Sequence, residues 1–425
     1  MSLPSETSTD ANKRLEKLAD YSRTFPCFCI YHSNASSGKS FFDTLGAFSG
    51  KLLSSFNPLE RSNPPPRWHF GFLSYDLKNR FENLSSSGSD GIGLPEYFFF
   101  EPEVLVVEQE GKCQLISPET NETQRLRKLL GVDQVVSLSD SPELPRLQIR
   151  ARFSREEYLK RAIKIRKHID QGDVYELNFC QEFYATNPQI DPVSIYKKLN
   201  AITQAPFSAF CRFGDHYLIS SSPERFLKKK GSLLFSQPIK GTRKRGATPE
   251  EDERLKKELL NDEKERAENV MIVDLVRNDL SRIAGKGSVK VEELLALYSF
   301  EQVHQLISTI SCTLKSEVSF RDILQATFPM GSMTGAPKIR AMQLIEHYEC
   351  AKRGLYSGAI GYIDPSGDFD LSVVIRSIQY NAATGYLNFM TGSAITAKSD
   401  PEAEYEECLI KAQGMLKALN AELIV

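Results

Sequence analysis

Short apolar blocks and alternating runs fill most of this chain, and a few longer amphipathic stretches separate them. Residues 26–32, 68–75, 97–108, 173–183, 233–235 and 371–378 read as strands. Residues 207–213 and 216–221 predict a hairpin around Gly214-Asp215. Three long helices announce their starts. Ser154 with Glu157 forms a capping box, and that helix runs to about Gln171, where Gly172 stops it. Asn261 and Asp262 cap a second helix that continues to about Ile283. Asp400 caps a third, with Pro401 at its first position. Many strands and few long helices, without a regular βαβ rhythm, predict an α+β fold with antiparallel sheets. Residues 1–24 read as a loose lead or an outer helix, 33–38 as a small-residue loop and 54–67 as a surface connection. The stretch 117–144 is polar and weakly patterned. Patterned elements become denser after 145–153, so 1–145 and 146–425 read as two parts of one structural unit.

Composition narrows the class. The chain has 425 residues and a formal net charge of −2, which gives no reason to expect nucleic acid or an anionic membrane as partner. No apolar run approaches a membrane span, and the N-terminus lacks a secretory apolar core. Eight cysteines spread along this length do not form a disulfide framework, and Cys27 and Cys29 lack a partner pair for zinc. The expected setting is the reducing cytoplasm.

The first chemical candidate is Lys240, in Gln237-Pro238-Ile239-Lys240-Gly241-Thr242. Pro238 ends the strand before it, and Gly241 lets the backbone bend or approach a ligand. Arg243, Lys244 and Arg245 follow. Burial and neighbouring cations both favour the neutral amine, and a neutral amine is a nucleophile. The alternative is a basic turn in water.

The second candidate is a set of acids. Glu265 and Glu268 share a face at the entrance of a helix that is later apolar nearly all round. Glu404, Glu407 and Lys411 fall on one stripe of the C-terminal helix, beside its apolar face. Each pair alone reads as an ordinary charged flank. Together they suit a hard divalent ion with oxygen ligands, and magnesium fits better than zinc because no Cys or His accompanies them.

Other features leave alternatives open. Gly331 to Lys338 is not a phosphate loop, because its glycine spacing is too short and Pro337 precedes the lysine. It does lead into a helix, 338–347, whose N-terminus can hold an anion. Thr391-Gly392-Ser393-Ala394 reads as a turn before the last helix. Arg376 interrupts an apolar run, and is either paired with an acid or aimed at a ligand carboxylate. His304 lies in an apolar segment, where a hydrogen-bonded core histidine is the ordinary outcome.

Taken together, these stretches resemble the chorismate-utilising enzymes from about Phe153 to the C-terminus. The matching motifs are Gly172 to Asn178, Ser222-Pro223-Glu224-Arg225-Phe226, Pro238 to Thr242, Ala267-Glu268-Asn269 through Leu280, Gly331 to Lys338, Tyr356-Ser357-Gly358, and Ser399 through Lys411. Many motifs in one order are far more specific than any one of them. The first third matches loosely, through stretches such as Ser74-Tyr75-Asp76. The resemblance implies two large antiparallel sheets stacked as a sandwich, with helices outside and the site in a cleft between them.

It also implies roles. Magnesium would be held by Glu268 and Glu407, with Glu265 and Glu404 acting through water, and would grip the ring carboxylate of chorismate. Tyr356, Arg376, Lys411 and the backbone of Gly392 would meet the substrate's carboxylates and ring, and Thr242 would line the pocket. Glu224 would protonate the leaving 4-hydroxyl, with His304 near the reacting ring. Lys240 points to the aminodeoxychorismate synthase component I branch, since related anthranilate synthases carry alanine there. In that branch the lysine attacks C2 as the 4-hydroxyl leaves, and ammonia then adds at C4 and expels it. The alternatives are anthranilate synthase component I and a non-catalytic chorismate- or tryptophan-binding regulatory subunit. Isochorismate and salicylate synthases carry a basic lysine where this chain has Glu176, and glutamine is common there in other relatives. Ala394 replaces a glycine seen in many. No Gly-x-Cys-x-Gly nucleophile turn is present, so a separate glutamine amidotransferase subunit is implied as the ammonia source. Ser33 and Pro206-Phe207-Ser208 fall near stretches that bind tryptophan in some relatives.

Overall fold

The computed structural model describes residues 8–34, 42–60, 66–109, 112–116, 126, 130, 146–300 and 302–424. Most of the expected 33–38 loop, the Pro64-Pro65 part of the surface connection and nearly all of 117–144 lie outside those residues.

Two large sheets dominate. The first follows the order Ala421–Ile424, Leu147–Ala151, Glu176–Thr186, Tyr386–Thr396, Ser377–Asn381, His216–Ser222, Phe207–Phe213, Cys27–His32, Thr44–Ser49, Val104–Gln109, Lys112–Ile116. The two-residue strand Gly335–Ala336 pairs with Glu176–Thr186 off that path. The second follows Ile239–Lys244, Val303–Thr313, Leu233–Gln237, Arg225–Lys230, Phe369–Val373, Ala359–Ile363, His69–Leu73, Tyr97–Phe100, with Lys290–Ser299 also on Val303–Thr313. The pairing is antiparallel except at one edge, where Ala421–Ile424 runs parallel to Leu147–Ala151. The expected α+β class with two large antiparallel sheets is what the chain builds. Strands from the first third sit inside both sheets: Cys27–His32 pairs with Phe207–Phe213, and His69–Leu73 pairs with Ala359–Ile363.

The sheets stack through a shared apolar layer. Cys29, Tyr31 and Cys211 of the first meet Phe70, Phe72 and Ile360 of the second. Helices cover the outer faces. Ile272, Val273, Val276 and Leu280 of helix Glu263–Ser281 pack on Leu234, Ile310 and Leu371. Helices Ser8–Tyr21, Pro192–Thr203 and Pro401–Ala418 cover the first sheet. The three helix starts read from sequence are present. Ser154 and Glu157 form the capping box, Asp262 accepts from the Glu265 N–H, and Asp400 accepts from the Glu402 N–H.

Three expectations need correction, and two share a cause. The 371–378 run is two strands, Phe369–Val373 and Ser377–Asn381, in different sheets. Likewise 97–108 divides into Tyr97–Phe100 and Val104–Gln109. An apolar run that changes sheet keeps its hydrophobic pattern, because both halves are buried. The third concerns residues 391–394, which lie inside the strand Tyr386–Thr396 rather than in a turn. Helix Pro249–Asn261 and strand Ile239–Lys244 join the expected elements.

Two sheet-switching corners adjoin each other. One joins His216–Ser222 to Arg225–Lys230 and carries Glu224. The other joins Phe369–Val373 to Ser377–Asn381 and carries Arg376. Glu224 O accepts from Val373 N at 3.0 Å, and Arg376 O accepts from Ser221 N at 3.3 Å.

Candidate active site

Lys240 stands on a bulge. Ile239 pairs with Ile307 and Thr242 with Gln305, so Lys240 and Gly241 together oppose Leu306. Gly241 has φ +95°, a conformation that suits glycine, and a Cβ there would press on Leu259 and Leu306. Asn269, on helix Glu263–Ser281, pins the bulge from behind. Its Nδ2 reaches Lys240 O and Leu306 O at 3.4 Å each, and its Oδ1 accepts from Ser308 Oγ at 2.6 Å.

The bulge sends Lys240 inward to two acids. Nζ lies 2.7 Å from Glu176 Oε1 and 3.9 Å from Glu268 Oε2. The three side chains are 11%, 1% and 9% exposed, so the ion pair is dry. This corrects the expected neutral amine. Burial pushes the ammonium down, but Glu176 and then Glu268 overcome that and hold it above its ordinary range. The cations that follow in sequence turn away from the site. Arg243 pairs with Asp262 at 2.7 Å, and Arg245 pairs with Asp252 at 2.8 and 3.0 Å.

Glu176 is fixed by its backbone. Gly335–Ala336 pairs directly with it, and a Cβ on Gly335 would meet Glu176 O at 2.1 Å. The Gly331–Lys338 stretch thus packs against the acid beside Lys240. Its lysine is not free for an anion, because Lys338 Nζ is tied to Asp279 and to Thr327 O. Its serine, Ser332, donates from Oγ to Glu224 Oε1 at 2.6 Å. Glu224 is buried, and burial lifts its carboxyl to about 7 against the pull of Ser332 and Lys240.

The two acidic helices face each other across the rim. Lys264 Nζ sits 3.1 Å from Glu404 Oε1 and 3.9 Å from Glu268 Oε1. Burial raises Glu268 to about 7, and burial followed by the Glu407 charge raises Glu265. Glu407 moves the other way. Partial burial opposes it, but Lys411 at 2.6 Å holds it low. Among the described residues, no three acidic, histidine or cysteine side chains converge as a closed ligand set. Glu268 Oε1 and Glu404 Oε2 are nevertheless buried with no hydrogen-bond partner. Unsatisfied carboxylate oxygens on facing helices are the donors a hard divalent cation takes.

Arg376 has no acid partner among the described residues. Its side chain makes no hydrogen bond or ion pair with any described residue, and burial without an offsetting acid lowers its guanidinium. It holds φ +50° at the sheet-switching corner. A half-buried, unpaired guanidinium in a strained corner suits an external carboxylate. Lys411 Nζ donates to Gly392 O at 2.8 Å. Gly392 itself must lack a side chain, because a Cβ would meet Cys180 Sγ at 2.3 Å and Phe179 O at 2.5 Å. The Tyr356 hydroxyl lies 3.4 Å from Cys180 Sγ, and Thr242 is half-buried on the bulged strand.

His304 belongs to a separate cluster. It is fully buried, with Nδ1 2.8 Å from Ser299 Oγ and Nε2 2.9 Å from Asp252 Oδ1. Neither ring nitrogen bonds to Lys240, Glu224 or the four glutamates. Ser33 and Pro206-Phe207-Ser208 do come together, since His32 pairs with Ser208 across adjacent strands. Four residues of the site's frame went unassigned in the sequence: Glu176, Ser332, Asn269 and Arg353. Arg353 is buried, pairs with Glu349, and donates to Met333 O, Asn178 O and Ser357 Oγ. Glu176, Ser332 and Asn269 sit inside recognisable motifs, but only tertiary contact shows what they hold.

Comparison with known proteins then decides the family. Residues 29–417 match the family described as chorismate binding enzyme. The chain belongs to that family. This chorismate-binding enzyme is 38% identical over 352 residues to aminodeoxychorismate synthase component 1 of Escherichia coli, covering 82% of this chain and 76% of that one. It is 36% identical over 376 residues to anthranilate synthase component 1 of Thermus thermophilus, covering 86% and 80%. Its fold superimposes on anthranilate synthase component I from Streptococcus pneumoniae with a TM-score of 0.73 at 28% identity, over 92% and 90% of the two chains. The enzyme uses chorismate, and relatives named aminodeoxychorismate synthase and anthranilate synthase stand equally near. No helix among the described residues is long and apolar enough to cross a membrane.

Proposed function

We propose that this enzyme aminates chorismate at C4 to give 4-amino-4-deoxychorismate, for para-aminobenzoate and folate synthesis. The observation that carries this reading is Lys240. Its amine is buried between Glu176 and Glu268 and is not in solvent. An enzyme that let ammonia attack C2 directly would have no use for an amine there.

The residues divide the work. Arg376, together with Tyr356 and Lys411, takes the substrate's carboxylates. Lys240 Nζ forms a bond to C2 while the diene shifts and the C4–O bond breaks. Glu224, carrying a proton near neutrality, delivers it to the departing hydroxyl. Ammonia then attacks C4, and the C2–Nζ bond breaks. Glu268 and Glu407 would hold Mg2+, with Glu265 and Glu404 in support; the ion would stabilise charge on the ring carboxylate. Ammonia would come from a glutamine amidotransferase subunit.

The test is intact-protein mass spectrometry with chorismate and Mg2+ but no ammonia. A chorismate-derived adduct on Lys240 is expected, and Lys240→Ala abolishes it. With ammonia added, 4-amino-4-deoxychorismate is the expected product. Direct release of anthranilate by the wild type, with no adduct, would establish the anthranilate synthase reading instead. Binding of chorismate without turnover would point to a regulatory subunit.

A further inference from the structure

We propose that Glu176 is a catalytic residue, the base that takes the proton from Lys240 when its amine attacks and returns it when the amine leaves. This rests on the amination reading above. The argument begins with a chemical requirement. Lys240 stands as an ammonium in an ion pair, and an ammonium has no lone pair. One proton must leave Nζ before the bond to C2 can form.

Among the described residues, one side-chain acceptor lies within hydrogen-bond reach of Nζ. Glu176 Oε1 is 2.7 Å from Nζ, while Glu268 at 3.9 Å is beyond a hydrogen bond. Glu224 makes no hydrogen bond to Nζ, and its Oε1 is engaged by Ser332. No other charged side chain contacts Nζ among the described residues. Glu176 is 1% exposed, and its second oxygen, Oε2, is buried without a partner. The carboxylate thus has one oxygen on Nζ and the other without a partner, so the acceptor geometry is complete before substrate arrives. Its position is set by Gly335, so proton transfer needs no movement of the backbone.

The atoms balance through both halves of the reaction. In the first, an Nζ–H bond breaks and the proton moves to Glu176. The freed lone pair forms Nζ–C2, the diene electrons shift toward C4, and the hydroxyl departs as water with the Glu224 proton. The linkage at Nζ is then a secondary ammonium, Glu176 is neutral and Glu224 is charged. In the second, ammonia attacks C4, the C2–Nζ electrons return to nitrogen, and the neutral amine recovers its proton from Glu176. Glu224 takes one proton from the new C4 ammonium, leaving a neutral amine on the product. Both acids return to their starting states with one ammonia consumed and one water formed.

A glutamine at 176 keeps a hydrogen-bond acceptor for Nζ but cannot take a proton. The experiment therefore follows the Lys240 adduct by intact mass in rapid-quench samples of the full chain with chorismate and Mg2+. Glu176→Gln is expected to slow adduct formation at saturating chorismate by tenfold or more, with chorismate affinity by calorimetry within twofold of wild type. Glu176→Asp is expected to recover part of the rate. An adduct forming on Glu176→Gln at the wild-type rate overturns the assignment while leaving the Lys240 route intact. Equal slowing in Glu176→Gln and Glu176→Asp, with chorismate affinity lost in both, makes Glu176 structural and also overturns it. A wild type that forms product with no adduct overturns the amination reading and this inference together.

Discussion

Ser332 Oγ donates to Glu224 Oε1 across 2.6 Å, and both side chains are buried. The bond links a 3-10 turn, Gly331–Met333, to the corner where the chain changes sheet. It also engages one oxygen of the acid assigned to the leaving group, which leaves the proton on the other. Ser332 is held in turn by Asn178, whose Nδ2 donates to Ser332 O at 3.0 Å.

The rate should therefore fall on the alkaline side of about pH 7, where Glu224 loses its proton. Ser332→Ala removes a donor that lowers that value, so its alkaline limb should move to higher pH. The expected kcat is lower by about tenfold, the net worth of a hydrogen bond to a charged group being ~1.5–3 kcal/mol. A pH–rate profile of both proteins decides this; an unmoved limb would detach Ser332 from Glu224.

The same shift has a stability sign. Glu224 rises from an ordinary 4.5 to about 7 in the fold. Its contribution is fully present below pH 4.5 and is lost as pH climbs through 7, by ~3 kcal/mol at most. Glu224→Gln should be inactive yet more stable than wild type at pH 8, with the gap closing by pH 5. Denaturant melts at the two pH values measure it.

Arg376 has no described partner to abandon, so its removal should spare the fold. Arg376→Ala is expected to raise KM for chorismate ten- to a hundredfold, as loss of a charge-assisted bond of ~1.5–3 kcal/mol requires. Its melting temperature should be unchanged or higher. A drop of several degrees would instead mean that the guanidinium supports the corner.

Magnesium should show itself without turnover. A ligand at a hundred times its Kd stabilises by about 2.7 kcal/mol. The wild type should therefore melt at a higher temperature with Mg2+ than with a chelator. Glu268→Gln and Glu407→Gln should remove that difference. A retained shift in both would place the ion elsewhere.

Arg353 supports the same frame from beneath. Breaking a buried ion pair from one side costs about 3–5 kcal/mol. Arg353→Ala should lose that much, and Arg353→Lys should recover little, because a lysine cannot reach Glu349, Met333 O, Asn178 O and Ser357 Oγ together. Chemical denaturation of both variants provides the measure.

Local signals carried the helix starts. Ser154, Asp262 and Asp400 cap as their side chains dictate, and Gly214 turns the hairpin it was expected to turn. Local signals failed where distance along the chain mattered. The charge state of Lys240 does not follow from its sequence neighbours, because Arg243 and Arg245 bind Asp262 and Asp252. The acid that sets it arrives from a strand 64 residues away. Arg376 was placed within a strand because nothing in an apolar run marks the residue where it leaves one sheet for another. His304 bonds to Ser299 and Asp252, partners that its place in an apolar run does not mark.

The paired corners at Glu224 and Arg376 act as covalent rungs between the two layers. Layers joined by short rungs cannot swing apart like the covers of a book, so the spacing between the sheets is set at folding. On the proposed function, any opening for substrate would then fall to the two helices that carry Glu268 and Glu407. Crosslinking those two helices is then expected to slow substrate exchange without altering the stacked sheets.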